Sequence, residues 1–137
     1  MLIVKKFGGT SVGNKERILN VAKRCIEEYQ KGNDVVVVLS AMGKMTDELI
    51  AMAKDINPNP PKREMDMLLT TGEQTSVAMM AMAMHSMGIP AVSLNAFQVA
   101  MHTTHAYSNA RIKRIDTDRI FNLSLIHISE PTRLDVI

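Results

Sequence analysis

The chain has 137 residues, about the length of one domain, and 46% of them are hydrophobic, which is enough to build a core. Sixteen basic and 14 acidic side chains leave a net charge of +2, and no basic stripe interleaves with aromatic residues, so we expect no nucleic-acid binding. The one cysteine, Cys25, rules out an intramolecular disulfide and favours a reducing cytoplasm. No apolar run approaches the ~20 residues of a membrane span, and no secretory signal precedes the lysines, so we expect a soluble, cytoplasmic protein without membrane contacts.

The first third of the chain predicts one βαβ unit. Leu2–Phe7 is typical of a short strand, and the glycine-rich segment Gly8–Gly13 follows it as a loop. A helix pattern begins at Asn14, with apolar residues at steps of three and four, and ends near Gly32. The β-branched run Val35–Leu39 then predicts a strand buried on both faces of a parallel sheet.

Helices dominate the next part of the chain. Thr46 is a plausible N-cap of a second helix, which the segment Asn57–Pro61 interrupts. Lys62–Met87 predicts one or two helices around Gly72, and Ala91–Leu94 predicts a third strand.

The remaining sequence carries weaker signals. Residues 95–109 show no clean period, and the segment Asp116–Asp118 is typical of a helix start. His102 and His105 lie close together, but no cysteine or further histidine completes a ligand set, so we assign them no metal.

The loop after the first strand has the composition of a phosphate site. Gly8 and Gly9 let a ligand approach the backbone, whose N–H groups and following helix favour an anion, and Lys6 adds a full positive charge. Thr10 and Ser11 offer hydroxyl groups. The spacing matches neither GxxxxGK[ST] nor GxGxxG, and on pattern alone a plain tight turn is equally favoured.

A second strand–helix junction repeats this theme. Ser40–Gly43, SAMG, follows the run Val35–Leu39 and precedes the second helix. The carboxyl ends of parallel strands open on one edge of a sheet, where ligands of α/β proteins bind. Two such loops together favour a phosphate ligand over two unrelated turns.

Four segments resemble the bacterial aspartate kinases of the amino acid kinase superfamily. They are KKFGGTSVG, VVVVLSAMGKMTDELI, KREMDMLLTTGEQTS and YSNARI, and they follow one another in the family's order over residues 1 to about 122. The resemblance implies an α/β fold, an amino-acid-kinase-like three-layer αβα sandwich with a mostly parallel sheet, truncated here to its N-terminal lobe. It also implies transfer of a phosphoryl group from ATP to the side chain of L-aspartate, giving 4-phospho-L-aspartate for lysine, threonine, methionine and diaminopimelate synthesis.

The resemblance also implies roles for particular residues, with L-aspartate and ATP as the small-molecule partners. Lys6 is the expected catalytic residue, which contacts the transferring phosphoryl group. The expected ATP and phosphate contacts are Lys6, Phe7, Gly8, Gly9 and Ser40, and the expected aspartate contacts are Ser40, Thr46 and Glu73. Mg²⁺ is expected with ATP, but we assign it no protein ligand.

Structural interpretations compete with these roles. Thr46 is also a candidate helix cap, and Thr70 with Glu73 has the spacing of a capping box. Cys25 is expected to be an inert core thiol. Core filling is the favoured interpretation of the methionines at positions 79, 80, 82, 84 and 87.

The chain departs from the family's pattern at Ala100 and Ser108, where glycine is expected, and the match breaks after Asn122. The segment Leu123–Arg133, LSLIHISEPTR, is similar to the in-frame translation of a transposase-type sequencing adapter. We therefore expect residues 1–122 to be the N-terminal part of a kinase catalytic domain and residues 123–137 to be a non-native tail.

A chain of this extent would lack the later catalytic segment, the nucleotide-base site and the regulatory ACT domains. It would also expose a sheet edge and apolar helix faces. We expect it to be inactive alone, and we expect the intact parent to form homo- or hetero-oligomers. Glutamate 5-kinase, acetylglutamate kinase and a non-catalytic binding module remain the alternatives.

Overall fold

The computed structural model describes residues 1–95, 98, 101–106, 111–115 and 135–136. The predicted helix start at Asp116, the departures at Ala100 and Ser108 and the adapter-like segment Leu123–Arg133 lie outside these residues. Apart from a short 3₁₀ helix at Gly9–Val12, the helices are α1 (Lys15–Gln30), α2 (Met45–Ile56) and α3 (Lys62–Ser86). The strands are β1 (Leu2–Phe7), β2 (Asp34–Leu39), β3 (Ala91–Val92), β4 (Met101–Thr103), β5 (Ile112–Ile115) and β6 (Asp135–Val136).

The predicted βαβ unit is confirmed. β1 and β2 pair in parallel, with Lys6 opposite Val38 and Phe7 opposite Leu39, and α1 makes the crossover between them. The side chain of Asn14 caps α1 by accepting a hydrogen bond from the backbone N–H of Arg17. Past the other end of α1, Gly32 has a φ of +91°, a conformation that glycine adopts without strain.

The core lies between one face of the β1–β2 pair and the helices α1 and α3. It is a cluster in which the odd-numbered residues of β2 meet apolar side chains of both helices. The buried members from these elements are Val35, Val37, Leu39, Ile18, Val21, Ala22, Cys25, Met80 and Met84. Burial of this face is the main source of stability that the described part of the chain offers.

The opposite face of the β1–β2 pair is open, so the prediction that Val35–Leu39 is buried on both faces is wrong for this chain. Val38 is 45% exposed, and Val4 on the neighbouring strand is 62% exposed. A parallel strand is buried on both sides only when helices cover both faces of its sheet. α1 and α3 both pack on the same face, and no described helix covers the other one.

Neither of the two candidate helix caps is formed. α2 begins at Met45 rather than after Thr46, and its N-cap, Lys44, makes no side-chain hydrogen bond to the helix. α3 runs without interruption through Gly72, so Thr70 and Glu73 lie in its middle and form no capping box. The side chain of Thr70 donates instead to the backbone carbonyl of Met67, one turn earlier.

The methionines of α3 divide between two environments. Met80 and Met84 are buried against the sheet, as core filling predicts, whereas Met79 and Met82 are exposed. The third strand is confirmed but shorter than predicted, since β3 ends at Val92.

The later strands form two further pairs. β3 pairs in parallel with β6, Ala91 opposite Asp135, whereas β4 and β5 form an antiparallel pair. None of the helices described has the length and apolar character needed to cross a membrane.

Candidate active site

The loops that follow β1 and β2 are joined by backbone hydrogen bonds at the carboxyl edge of the strand pair. The N–H of Ser40 donates to the carbonyl of Phe7 at 3.2 Å, which extends the β1–β2 pairing by one step. The N–H of Gly43 donates to the carbonyl of Gly9 at 2.9 Å. The two small-residue loops predicted to share an edge are therefore in direct contact.

Glycine is needed at some of these loop positions for steric reasons. A Cβ atom on Gly9 would lie 2.6 Å from the carbonyl oxygen of Ala41, which is closer than real Cβ atoms come. Gly43 has a φ of +52°, in the left-handed region, and its Cα lies 3.8 Å from where a Cβ on Gly13 would be. Gly8 differs, because a Cβ there would meet nothing within 4 Å. The chain thus leaves open space beside Gly8.

Arg17 fastens the glycine-rich loop to α1, a role that the sequence analysis missed. Its Nη1 donates to the backbone carbonyl of Thr10 at 2.5 Å, while its own N–H is bonded to the cap residue Asn14. The sequence signal that could have indicated this role is the position of Arg17 three residues after the N-cap Asn14, in the first turn of α1. Arg17 therefore belongs to the support of the candidate site.

α3 reaches the same edge through Gly72. A Cβ on Gly72 would lie 2.9 Å from the Cβ of Ala41, 3.7 Å from the Sδ of Met45 and 3.8 Å from the Cδ1 of Leu49. Gly72 therefore allows α3 to pack closely on both the Ser40 loop and α2. Glu73 is the residue of α3 that directly follows this close contact.

The side chains of the predicted site residues lie in different surroundings. Ser40 and Thr46 are half-buried, and Glu73 is exposed. Phe7 packs its side chain against the core and its carbonyl accepts from Ser40, so it takes part at this edge through its backbone. Lys6 is exposed on the open face of the sheet. In the described part of the chain, neither Lys6 nor Glu73 belongs to an ion pair, so both charges are available to a ligand.

The adjacent lysines of β1 point to opposite faces. Lys5 faces the helices, where its Nζ lies 3.5 Å from the carbonyl oxygen of Arg24 and 4.0 Å from Oε1 of Glu28. Strand geometry sends Lys6 the other way. Only the second lysine is therefore free to meet a ligand at the open face.

An apolar cavity of about 20 Å³, room for one water molecule, lies away from this edge. It is lined by Cys25, Ile26, Tyr29, Val35, Val37, Met84, Ile89, Pro90 and Ala91, none of them a predicted site residue. Burial raises the pKa of the Cys25 thiol to about 11, and the charge of Lys5 opposes this only in part. Cys25 is thus a neutral, buried thiol in the core.

Across the ranges the structure covers, no three His, Cys, Asp or Glu side chains are grouped so that they could hold an ion. The polar groups gathered at the candidate site are hydroxyls, main-chain amides, one lysine and one carboxylate, and this set suits an anionic ligand with an ammonium group more than a bare cation.

Glycine-rich loops paired at the carboxyl edge of a parallel strand pair are typical of α/β proteins that bind anionic ligands. A model of the amino acid kinase family matches residues 1–125, and the chain belongs to this family.

The relatives most similar to the chain include several aspartokinases. It is 62% identical over 119 residues to an aspartokinase of Geobacillus stearothermophilus and 56% identical over 116 residues to aspartokinase 2 of Bacillus subtilis. These alignments cover 87% and 85% of this chain, but only 29% and 28% of the relatives. The chain thus spans less than a third of the length of these proteins.

Solved structures agree with these matches. The crystal structure of aspartate kinase from Synechocystis superposes with a TM-score of 0.76 at 46% identity, covering 99% of this chain and 21% of that one. Aspartokinase III of Escherichia coli, solved with aspartate and ADP, superposes with a TM-score of 0.73 at 17% identity, covering 99% of this chain and 40% of that one, which supports the fold alone. The predicted α/β fold class of the amino acid kinases is therefore confirmed.

Proposed function

We propose that this chain is the N-terminal part of an aspartate kinase, which transfers the γ-phosphoryl group of ATP to the side-chain carboxylate of L-aspartate. The observation that carries the proposal is the 62% identity to an aspartokinase over 119 residues, a stretch that includes most of the described chain. The two hydrogen-bonded loops are consistent with it, as are the charges of Lys6 and Glu73, which form no ion pair among the described residues.

In this proposal the glycine-rich edge binds the phosphates. Lys6 neutralises charge on the transferring phosphoryl group, while the amides of Gly8 and Gly9 and the hydroxyl of Ser40 donate hydrogen bonds to phosphate oxygens. The open space beside Gly8 is where a phosphate could approach the backbone. The attacking carboxylate of aspartate is already ionised, so the reaction needs positioning and charge neutralisation but no general base.

The aspartate would lie between the Ser40 loop, α2 and α3. Glu73 supplies the negative charge that binds the substrate ammonium group, and the hydroxyls of Ser40 and Thr46 donate to its carboxylates. In this proposal Ser40 contacts both substrates and lies between the two binding regions. It directly follows β2, and its backbone N–H donates a hydrogen bond to the carbonyl of Phe7. This arrangement holds the nucleophile next to the phosphate loop.

ATP normally arrives with Mg²⁺, which keeps several waters and binds mainly through the phosphates. We assign no described residue as its ligand. The single cysteine supports a cytoplasmic location. The resemblance to aspartokinases supports an oligomeric intact protein.

A chimaera tests the proposal. Residues 1–122 of this chain would replace the matching segment of the Geobacillus stearothermophilus aspartokinase, and ADP release would be measured with L-aspartate, L-glutamate and N-acetyl-L-glutamate. We expect turnover with L-aspartate and little with the other two acids. A folded chimaera that prefers either of the other acids, or that phosphorylates none, would contradict the proposal.

A further inference from the structure

Ala41 lies where three segments of the chain meet. It is 5% exposed and directly follows Ser40 in the loop after β2. Its carbonyl oxygen faces Gly9 of the first loop, and its methyl group faces Gly72 of α3. One small residue is therefore enclosed by two glycines that are 63 positions apart, the difference between 72 and 9.

These two glycines are unlike the other five in the chain. A Cβ atom would meet Ala41 at 2.6 Å from Gly9 and at 2.9 Å from Gly72, below the 3.0 Å that real Cβ atoms respect. At Gly13 and Gly43 the nearest atoms would be 3.4 Å and 3.6 Å away. Nothing lies within 4 Å of a Cβ built on Gly8, Gly32 or Gly88. Ala41 is therefore the residue that excludes a side chain at both Gly9 and Gly72.

The neighbours of Ala41 cannot move aside independently. On one side, the amides of Ser40 and Gly43 are bonded to the carbonyls of Phe7 and Gly9. On the other side, Gly72 packs on α2 as well as on Ala41. An added methyl group at this contact would therefore displace α3 relative to the two loops, since close-packed interiors transmit such strain rather than absorb it.

We propose that Ala41 is a positioning residue, whose single methyl group sets the distance between the Lys6–Ser40 edge and Glu73 on α3. Its contribution to catalysis rests on the proposed function, but its steric role does not. Glu73 directly follows Gly72, so a shift of the helix at Gly72 also shifts the backbone that carries this carboxylate relative to the Ser40 loop. A positioning error of about 1 Å can cost on the order of 100-fold in rate.

A compensating pair of substitutions tests the steric role on the 137-residue chain. Gly72→Ala adds a methyl group against Ala41, and Ala41→Gly removes the group that it meets, leaving Met45 and Leu49 at ordinary distances of 3.7 and 3.8 Å. The control is Thr71→Ala, which changes helix propensity in the same direction on an exposed position of α3. Amide hydrogen exchange at Ser40 and Gly43 reports whether the two loops remain joined.

We expect Gly72→Ala to speed exchange at these two amides about tenfold or more, Thr71→Ala to leave it unchanged, and the Ala41→Gly/Gly72→Ala double variant to restore it. If Gly72→Ala prevents folding, the double variant should recover the folded state. Unchanged exchange in Gly72→Ala, or a double variant no better than the single one, would overturn the proposal.

The same variants in the chimaera separate positioning from stability. We expect Gly72→Ala to raise the KM for L-aspartate about tenfold or more and the double variant to restore it, while the KM for ATP changes little. A restored fold without a restored KM would overturn the positioning role. A parent chimaera without aspartate kinase activity would count against the proposed function, while the exchange experiment would still decide the steric role of Ala41.

Discussion

The two lysines at the end of β1 show how strand geometry gives neighbouring residues different roles. Lys5 lies against α1, near Glu28 and the carbonyl of Arg24, whereas Lys6 is exposed on the open face. Composition alone could not separate them. The period of two along a strand does so, once the buried face is known.

Replacing Lys6 tests its proposed contact with the phosphoryl group. We expect Lys6→Ala in the chimaera to lower turnover on the order of 10²–10³-fold, the cost of removing a preorganised donor. Lys54→Ala, which removes an exposed lysine in the last turn of α2, is the matched control and should change turnover little. Near-parental turnover in Lys6→Ala would exclude the catalytic role.

The adjacent glycines Gly8 and Gly9 should respond differently to alanine. Gly9→Ala places a Cβ 2.6 Å from the carbonyl of Ala41, so we expect a lower free energy of unfolding, measured by urea denaturation. Gly8→Ala has open space and an ordinary φ of −77°, so stability should be unchanged or slightly higher. In the chimaera, however, Gly8→Ala should weaken ATP binding. Equal losses of stability in both variants would contradict this steric difference.

Cys25 should make the stability of the chain depend on alkaline pH. Its pKa is about 11 in the folded chain, against 9.0 for an ordinary thiol, so the unfolded chain loses this proton first. The contribution of the protonated thiol to the stability of the folded chain is complete below pH 9 and is lost as the pH rises toward 11. Urea denaturation at about pH 8 and about pH 10.5 should therefore show a larger decrease in the free energy of unfolding for the parent than for Cys25→Ala. The same loss in both proteins would show that other groups cause the dependence.

At the scale of elements, the sequence predicted the βαβ unit well because its signals are local. The apolar period of α1, the cap at Asn14, the turn at Gly32 and the β-branched run of β2 each identify their own element. The candidate cap at Thr46 is not formed, because the helix begins before this residue. The turn after β2 is closed by a bond from the N–H of Met45 to the carbonyl of Met42, and α2 starts at Met45, two residues before the start that a cap at Thr46 would give.

The candidate site was only partly predictable. The glycines and Ser40 could be found from their place at strand ends, since parallel strands open on one edge. The contact between Ala41 and Gly72 could not, because no local pattern relates a loop residue to the middle of a helix 31 positions later, the difference between 72 and 41. Thr70 and Glu73 have capping-box spacing, yet α3 runs through both, so they do not mark a helix start.

The two faces of β2 should tolerate a hydroxyl group to different degrees. Val37 is 4% exposed and Val38 is 45% exposed, and valine and threonine have nearly the same shape. We expect Val37→Thr to lower the free energy of unfolding by about 1–3 kcal/mol, the cost of burying an unpaired hydroxyl. Val38→Thr should change it by less than about 0.5 kcal/mol. Equal effects in urea denaturation would show that the open face is covered in solution.

At the scale of the whole molecule, both the exposed apolar surface and the short alignment with the relatives favour the interpretation of this chain as an N-terminal lobe. Leu2, Val4 and Val38 are exposed on the sheet, and Met52, Ile56 and Met82 are exposed on the helices, as expected for an N-terminal lobe. Large exposed apolar surface normally packs against other protein. The chain covers 29% of the Geobacillus relative, which has ample additional length to cover it.

We therefore expect the purified 137-residue chain to show negligible kinase activity, even though it carries Lys6, Ser40, Thr46 and Glu73. ADP release with L-aspartate should not exceed the background of the Lys6→Ala variant. The chimaera assayed in parallel is the control that the substrates and conditions are adequate. Turnover by the isolated chain above this background would show that the lobe is sufficient for catalysis.

The contacts around Ala41 also bear on the order in which the polypeptide assembles. The hydrogen bonds and close contacts described around it join residues between Phe7 and Gly72. Translation proceeds from the N-terminus, and early segments fold while later ones are still being made. The edge at which the two loops meet can consequently form on a nascent chain still attached to the ribosome, before the later strands are synthesised.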